Sequence, residues 1–229
     1  MPSLTVFELR NYVMHPGRRD VLIDMFERNF IESQEALGIR VAGTFRNLDA
    51  ADRFVWLRGF ESMETRARAL DGFYSGPLWQ SLRNEANATM IDSDDVLLLK
   101  PIGGIAWARG PHPPLGVAKP ASLIVCVTYF LKHGADEAFI HAFADEIAPA
   151  IRDARAEIVA TLVTEHSPNS YPRLPVREGE TVFVALLRLP AGQAETLDRA
   201  SQWGAEQHPN LVTSVATLRL APTARSALR

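Results

Sequence analysis

Residues 5–38, TVFELRNYVMHPGRRDVLIDMFERNFIESQEALG, decide the fold of this chain. The opening part alternates between apolar and polar residues, which predicts a half-buried β-strand. Pro16 and Gly17 then interrupt the strand. After them, apolar residues recur at helical spacing up to a stop at Gly38, so this segment predicts a strand followed by an amphipathic helix.

The same pattern returns in the second half of the chain. There, the stretch SLIVCVTYFL of residues 122–131 leads through a short turn at Gly134 into another amphipathic helix. Placing Gly17 on Gly134 (134 − 17 = 117) aligns about thirty residues without a gap and puts Tyr12 on Tyr129. A match of this length indicates that one structural unit occurs twice.

Both halves continue in the order of a βαββαβ unit. Periodicity in the first half predicts strands at residues 39–48, 53–61 and 94–100, and helical segments at 62–70 and 76–88. The second half has the pattern of a helix at 135–155, strands at 157–166, 181–189 and 213–220, and a short helix at 191–206. This order is that of the split βαβ, ferredoxin-like fold. We therefore predict an α+β protein with two tandem ferredoxin-like (βαββαβ) modules.

The composition marks the boundaries between these units. Module 1 covers residues 1–101 and module 2 covers residues 121–222. Residues 102–120 are rich in Gly and Pro, which is typical of a partly extended linker, and residues 223–229 form a short tail. The two modules differ most in the long loop at residues 167–180.

A module of this kind leaves one face of its sheet uncovered, because right-handed crossovers place both helices on the other face. In module 1 we expect the helix-facing residues to be Phe7, Leu9, Val41, Phe45, Val55 and Leu57. The uncovered face would then carry Tyr12, Phe54, Trp56 and Phe60, together with Glu8, Arg10, Arg40, Arg46 and Arg58. Burying roughly 400 Å² of apolar area there would stabilise by about 10 kcal/mol at most. We therefore expect the two sheets to pack face to face, within the chain or across a homodimer.

Composition narrows the class of protein. The net charge is −3 and there is no basic run, so nothing indicates a nucleic-acid partner. A single cysteine, Cys126, excludes a disulfide within the chain and fits a reducing cytoplasm. We find neither an apolar targeting segment nor a run long enough to span a membrane. The expectation is a soluble, cytoplasmic protein.

Three stretches together resemble the NIPSNAP family. They are ELRNY at residues 8–12 followed by Pro16-Gly17, Phe73-Tyr74 with Pro77 and Trp79, and YPRLPVREGE at residues 171–180. The last stretch is similar to a segment of bacterial two-module members. The resemblance implies the dimeric α+β barrel architecture and a homodimer or higher homo-oligomer. It does not specify an activity, so the sequence leaves open whether the protein is an enzyme, and its catalytic residues are unknown.

A small-molecule site is the first functional hypothesis. We expect Asn11 on the helix-facing side of its strand, where a buried amide either bonds to neighbouring backbone or contacts a ligand. Cofactor-free monooxygenases of the barrel superfamily use Asn and Trp to handle an aromatic substrate and oxygen. By that resemblance Phe73, Tyr74 and Trp79 would line a cleft between sheet and helices, although such aromatic residues are also common in cores.

Three arginines are further candidates for ligand binding. Arg58 is expected on the uncovered face, in an ion pair with Glu8 or in an anion site. Arg173 and Arg177 flank Leu174-Pro175 in the long loop, where they would either fasten the loop to the other module or close over an acidic ligand.

Metal and cofactor sites are not indicated. The six histidines lack metal-ligand spacing, and His141 and His166 are the weak candidates for a haem ligand. Cys126 is expected to be an inert core thiol facing the helices. We therefore predict a protein with no metal and no bound cofactor, which binds or transforms a small apolar or aromatic molecule in a monooxygenase-like way. The alternative is a non-enzymatic assembly or scaffold protein.

Overall fold

A computed structural model describes residues 3–103, 111–189 and 206–229 of the chain. The first half contains β1 (Val6–Met14), α1 (Arg19–Met25), a π-helical segment (Phe26–Phe30), α2 (Ile31–Glu35), β2 (Arg40–Asn47), β3 (Arg53–Phe60), α3 (Met63–Ser75), α4 (Pro77–Asn87), β4 (Met90–Asp92) and β5 (Val96–Pro101). The second half contains β6 (Leu123–Leu131), α5 (Asp136–Ala142), a π-helical segment (Phe143–Ile147), α6 (Ala148–Asp153), β7 (Glu157–Thr164), β8 (Thr181–Leu189) and β9 (Val212–Pro222). Of the helix predicted at residues 191–206, all but the last residue lies outside the described residues.

Local sequence explains where the elements begin and end. Gly17 and Gly134 adopt φ angles of 73° and 74° at the turns that follow β1 and β6, a conformation that glycine adopts without strain. Ser62 caps α3 in a reciprocal capping box with Thr65, and Pro77 occupies the first turn of α4. No helix within the described ranges is both long and apolar enough to cross a bilayer.

The strands form an antiparallel barrel. Eight of them follow one another in the order β3-β2-β9-β6-β8-β7-β5-β1, and β1 pairs back to β3 to close the sheet, while β4 is attached to β1. The halves join edge to edge at β2–β9 and at β5–β7. The prediction of two sheets packed face to face is therefore wrong, because the strands form one continuous sheet that closes within a single chain.

The barrel interior is apolar and is shared by both halves. Module 1 contributes Phe7, Leu9, Phe45, Val55 and Leu57, and module 2 contributes Ile124, Cys126 and Val184. The prediction that the first five of these residues face the helices is wrong. Cys126 is a buried core residue as predicted, although it faces the barrel interior and not the helices, and burial there raises the pKa of its thiol to about 12.

The helices cover the opposite, outer face of the sheet. In module 1 this face carries Tyr12, Phe54, Trp56 and Phe60, which pack with residues of α1, the first π-helical segment and α3. We had assigned these residues to the uncovered face. Val41 lies on the helix side as predicted, because a bulge between Val41 and Gly43 shifts the alternation of β2.

The last residues of the chain belong to the barrel. Residues 223–229 run along β2, where the Thr223 amide donates to the Thr44 carbonyl and the Leu228 amide donates to the Ala42 carbonyl, each at 2.9 Å. Leu228 is fully buried in the interior cluster. The segment that we predicted to be a tail thus closes part of the core.

Candidate functional site

A buried group of charged residues lies between the outer face of module 1 and its helices. The Glu8 carboxylate accepts from Arg10 Nη1 at 2.6 Å, from Arg58 Nε at 2.8 Å and from Arg66 Nε at 2.6 Å. The four side chains are at most 2% exposed. We call Glu8, Arg10, Arg58 and Arg66 the arginine cluster.

The fold brings these residues together from three elements. Glu8 of β1 lies directly opposite Arg58 of β3, and Arg10 lies two residues further along the same face. Arg66 comes from the first turn of α3, which the Ser62 capping box holds in place. The predicted ion pair between Glu8 and Arg58 is therefore present, but it lies under the helices and not on an uncovered face.

The electrostatics of the arginine cluster are unbalanced. Burial alone would raise the pKa of Glu8, but Arg58, Arg10 and Arg66 outweigh it and hold this pKa well below its ordinary value, so Glu8 is ionised. Burial also raises the pKa of Tyr12, against the effect of Arg10, so the phenol remains neutral. Three arginines and one carboxylate (3 − 1 = 2) leave two positive charges in excess in a site that excludes water.

Aromatic rings contact the guanidinium groups of Arg10 and Arg58. Arg10 Nε donates to the Tyr12 hydroxyl at 2.7 Å, and the Arg10 guanidinium lies 5.7 Å from the centre of the Trp56 ring. The Arg58 guanidinium lies 4.9 Å from the same ring. Cation–π contacts of this kind are strongest where water is absent, and they partly replace the lost hydration of the guanidinium groups.

A wall of aromatic side chains adjoins the arginine cluster. The rings of Phe73, Tyr74 and Trp79 meet with centroid distances of 5.0–5.7 Å, and Phe30 joins them from the first π-helical segment. Tyr74 and Trp79 are half-buried, so they lie at the outer edge of this aromatic wall. The structure thus brings together the three aromatic residues singled out from the sequence.

The loop at residues 167–180 of module 2 packs over this edge. The Asn169 Oδ1 and Ser170 hydroxyl accept from Arg66 Nη1, each at 3.0 Å. The Tyr171 ring stacks on Tyr74 at 6.3 Å, and Leu174 packs against the same apolar cluster. A segment of one half therefore completes a site in the other.

Four buried donor groups in the arginine cluster and its surroundings have no hydrogen-bond partner among the described residues. They are Trp56 Nε1, Arg58 Nη2, Arg66 Nη2 and the Tyr171 hydroxyl, and of these Arg58 Nη2 lies 2.7 Å from Glu8 in an ion pair. Buried polar groups in native proteins are nearly always paired, so each unpaired one needs an explanation.

The other predicted site residues lie elsewhere. Asn11 is on the inner side of β1, not on the helix-facing side, and its Nδ2 donates to Asp95 at 2.9 Å. Arg177 pairs with the same Asp95 at 3.2 Å, so Asn11 and Arg177 meet at one end of the barrel, separate from the aromatic wall. Arg173 lies 3.8 Å from Asp71 of α3, in an exposed ion pair that fastens the loop to module 1.

Candidate metal and haem ligands are dispersed. Among the described residues no three His, Cys, Asp or Glu side chains are grouped as a metal site would require. His141 is exposed, and His166 pairs with Asp136 at 2.9 Å on the surface.

Sequence reasoning missed Arg66 and the loop residues Asn169, Ser170 and Tyr171. Glu8, Arg10 and Arg58 share one face of the sheet, and this shared face was the signal for a charged group there. Nothing local connects residues of α3 with a loop about a hundred positions later.

Comparisons with known proteins agree with this architecture. The chain is similar in structure to a candidate monooxygenase from Lactobacillus acidophilus NCFM, with 16% identity, a TM-score of 0.59 and 98% of each chain covered. It is also similar to an anthrone oxidase-like protein, with 10% identity, a TM-score of 0.62 and coverage of 96% of this chain and 92% of that one. At these identities the likeness concerns the fold alone.

The sequence comparison is more specific. Residues 7–103 match the sequence profile of the NIPSNAP family. A comparison with curated protein sequences found no match. The matched range runs from β1 to the end of β5 and contains the whole arginine cluster and the aromatic wall. Residues 7–103 of this chain therefore form a NIPSNAP domain.

Proposed function

We propose that the protein binds a small aromatic molecule in the cleft of module 1, between the aromatic wall and the arginine cluster. The supporting observation is the half-buried pair Tyr74 and Trp79, whose rings lie 5.0 Å apart and pack in the same apolar cluster as Tyr12 and Trp56. Aromatic rings offer a flat ligand a large contact area, and the few polar groups behind them fix its orientation.

Module 2 provides an internal comparison that supports this proposal. Glu8 pairs with Arg58 and Arg10 with Trp56 in β1–β3, and the corresponding pairs in β6–β8 are Val125 with Leu187 and Val127 with Ala185. The same strand positions are therefore filled by apolar residues in the other half of the barrel. Because the fold does not need charges at these positions, we attribute them to function.

A reaction of the bound molecule is the second part of the proposal. Guanidinium groups in a dry site stabilise negative charge that develops on an oxygen, such as the oxyanion of a phenol or an enol. An electron-rich anion of this kind can react with O₂ without a metal or an organic cofactor. The folds of the candidate monooxygenase and the anthrone oxidase-like protein are in keeping with such chemistry, which we propose for this chain as cofactor-free oxygenation.

The rival proposal is a non-enzymatic assembly protein. It is favoured by the loop at residues 167–180, which packs on Arg66 and on Tyr74 of the aromatic wall. Because the barrel closes within one chain, a homodimer or larger homo-oligomer would form through the helices and not through the sheet. We propose a cytoplasmic location for either role, since Cys126 is a free thiol.

A ligand screen tests the proposed function. Neutral aromatics, phenols, hydroxyquinones and aromatic acids are added to the wild type, to Trp79→Leu and to Phe130→Leu, and thermal unfolding is measured. Phe130 is a half-buried aromatic residue of β6 outside the cleft and serves as the matched control. We expect stabilising ligands for the wild type and the control, with roughly tenfold weaker binding to Trp79→Leu.

Oxygen consumption with each stabilising compound then separates binding from turnover. A screen in which no aromatic compound stabilises the wild type would contradict the proposed function. Equal weakening in Trp79→Leu and Phe130→Leu would contradict the location in the cleft.

A further inference from the structure

Arg66 is the member of the arginine cluster that contacts the loop at residues 167–180, and its hydrogen bonds are incomplete. Its Nε donates to Glu8, its Nη1 donates to the neutral oxygens of Asn169 and Ser170, and its Nη2 has no partner among the described residues. The side chain is nevertheless fully buried. A guanidinium group has five donors in a planar fork, and it binds a carboxylate best through two parallel bonds.

The positive charge around Arg66 is also not fully neutralised by an anion. Glu8 is shared with Arg10 and Arg58, so it neutralises one of three positive charges. Excess charge in a water-excluded site is costly unless an opposite charge is bound there. The neutral oxygens of the loop satisfy hydrogen bonds of Arg66 but contribute no negative charge.

Two further donors lie in the same part of the molecule. Trp56 Nε1 and the Tyr171 hydroxyl are buried without an acceptor in the described part of the chain. Trp56 stacks beneath Arg10 and Arg58, and Tyr171 directly follows Ser170 in the loop that touches Arg66. The described surroundings of Arg66 therefore contain hydrogen-bond donors and positive charge, and Glu8 is the one negatively charged acceptor among them.

We propose that Arg66 binds the anionic group of a ligand, a carboxylate or a comparable monoanion, whose oxygens replace Asn169 and Ser170 on the outer edge of the guanidinium. The loop at residues 167–180 then stands in for the ligand when the site is empty and moves aside when the ligand binds. This inference rests on the proposed function for the location of the aromatic part of the ligand. It adds the requirement that the ligand be an anion.

A pair of probes of equal shape tests the charge requirement. Benzoate and benzamide share the ring and differ in charge, and formate supplies the anion without the ring. We expect benzoate to bind at least tenfold more tightly than benzamide by titration calorimetry. We also expect formate to raise the Tm at constant ionic strength, by roughly 3 °C at ten times its Kd.

Variants of Arg66 and of the loop test the residues. Arg66→Met removes the proposed ligand of the anion, while Glu8 keeps Arg10 and Arg58, and it should abolish the preference for benzoate. Ser170→Ala removes a competing acceptor, so benzoate should bind two- to fivefold more tightly. Ser167→Ala, an exposed serine of the same loop, is the matched control and should leave both affinities unchanged.

The outcomes separate this inference from the proposed function. Equal binding of benzoate and benzamide overturns the inference and leaves the proposed function standing. Stabilisation by formate without binding of either aromatic probe supports the anion site and contradicts the proposed function. If benzoate and formate both fail to bind, or if Ser170→Ala and Ser167→Ala behave alike, the inference is wrong. The comparison of probes on the wild type holds even if Arg66→Met does not fold.

Discussion

Glu8 is the residue on which the arginine cluster depends, and Glu8→Gln is the sharpest test of its electrostatics. The substitution keeps the shape of the side chain and removes the one negative charge shared by Arg10, Arg58 and Arg66. All four side chains remain in a site that excludes water, so the solvent does not compensate for the loss.

The expected loss of stability follows from the burial and the number of contacts. Removing one partner of a buried ion pair costs about 3–5 kcal/mol, because the other charge is left without compensation. Here one carboxylate serves three guanidinium groups at 2.6–2.7 Å, so we expect the upper end of that range, about 5 kcal/mol. For a chain of this length such a loss lowers the Tm by roughly 10–20 °C.

The same substitution changes the pH dependence of stability. The pKa of Glu8 lies well below its ordinary value of 4.5 because the three arginines outweigh the effect of burial. A carboxyl with a depressed pKa in the folded state contributes stability that is complete above the ordinary value and is lost as the pH falls towards the folded value. The wild type should therefore lose more stability than Glu8→Gln between pH 6 and pH 3.

Urea unfolding at several pH values, followed by circular dichroism, measures both effects. The matched control is Glu157→Gln, because Glu157 is a strand residue whose side chain is 61% exposed and pairs with Arg188 at 2.9 Å. An exposed pair of this kind contributes about 1 kcal/mol or less. If Glu8→Gln loses no more stability than Glu157→Gln, or if the pH profiles of wild type and Glu8→Gln coincide, our account of the arginine cluster is refuted.

Two further predictions concern the barrel interior. Burial raises the pKa of Cys126 to about 12, so a thiol reagent at pH 8 should label the native protein at least about a hundredfold more slowly than the urea-unfolded protein; equal rates would mean that the interior is open. Leu228→Ala should cost about 2–5 kcal/mol in urea unfolding because its side chain fills the core, whereas Leu48→Ala, at an exposed leucine, should change stability by about 0.5 kcal/mol or less; similar costs for both would show that residues 223–229 do not contribute to the core.

Apart from the short strand β4, the order of the described elements could be predicted from the sequence because each of the others leaves a local pattern. Strands β1 and β6 alternate, the helices after them follow turns at Gly17 and Gly134, and β2 and β7 begin 117 positions apart (157 − 40 = 117). These signals depend on neighbouring residues alone. The bounds predicted for the strands therefore agree with the structure to within a few residues.

The face of each strand that meets the helices could not be predicted in the same way. Alternation identifies two faces but does not say which of them meets the helices, and β1 has large apolar residues on both. The choice is made by the edge pairings β2–β9 and β5–β7, which close the barrel and require an apolar interior. Tyr12, whose hydroxyl accepts from Arg10, and Trp56 then lie on the face with Arg10, under the helices.

In the candidate site, too, contacts between neighbouring strands could be predicted and contacts between distant segments could not. The pairing of Glu8 with Arg58 could be predicted because both residues belong to neighbouring strands and share a face. Arg66 and Ser170 meet across more than a hundred positions, and no local pattern encodes that contact. Asn11 was placed on the wrong face for the reason given above, so its amide bonds to Asp95 and does not approach the aromatic wall.

The closure of the barrel within one chain has a consequence for stoichiometry. Two identical subunits related by a twofold axis would duplicate every feature, so each charged group would appear twice and each would need its own cover. A single chain with two unequal halves does not have this duplication. One half holds Glu8 and Arg66 while the other supplies Ser170 and Tyr171, and titration of such a protein should saturate at one equivalent of ligand per polypeptide.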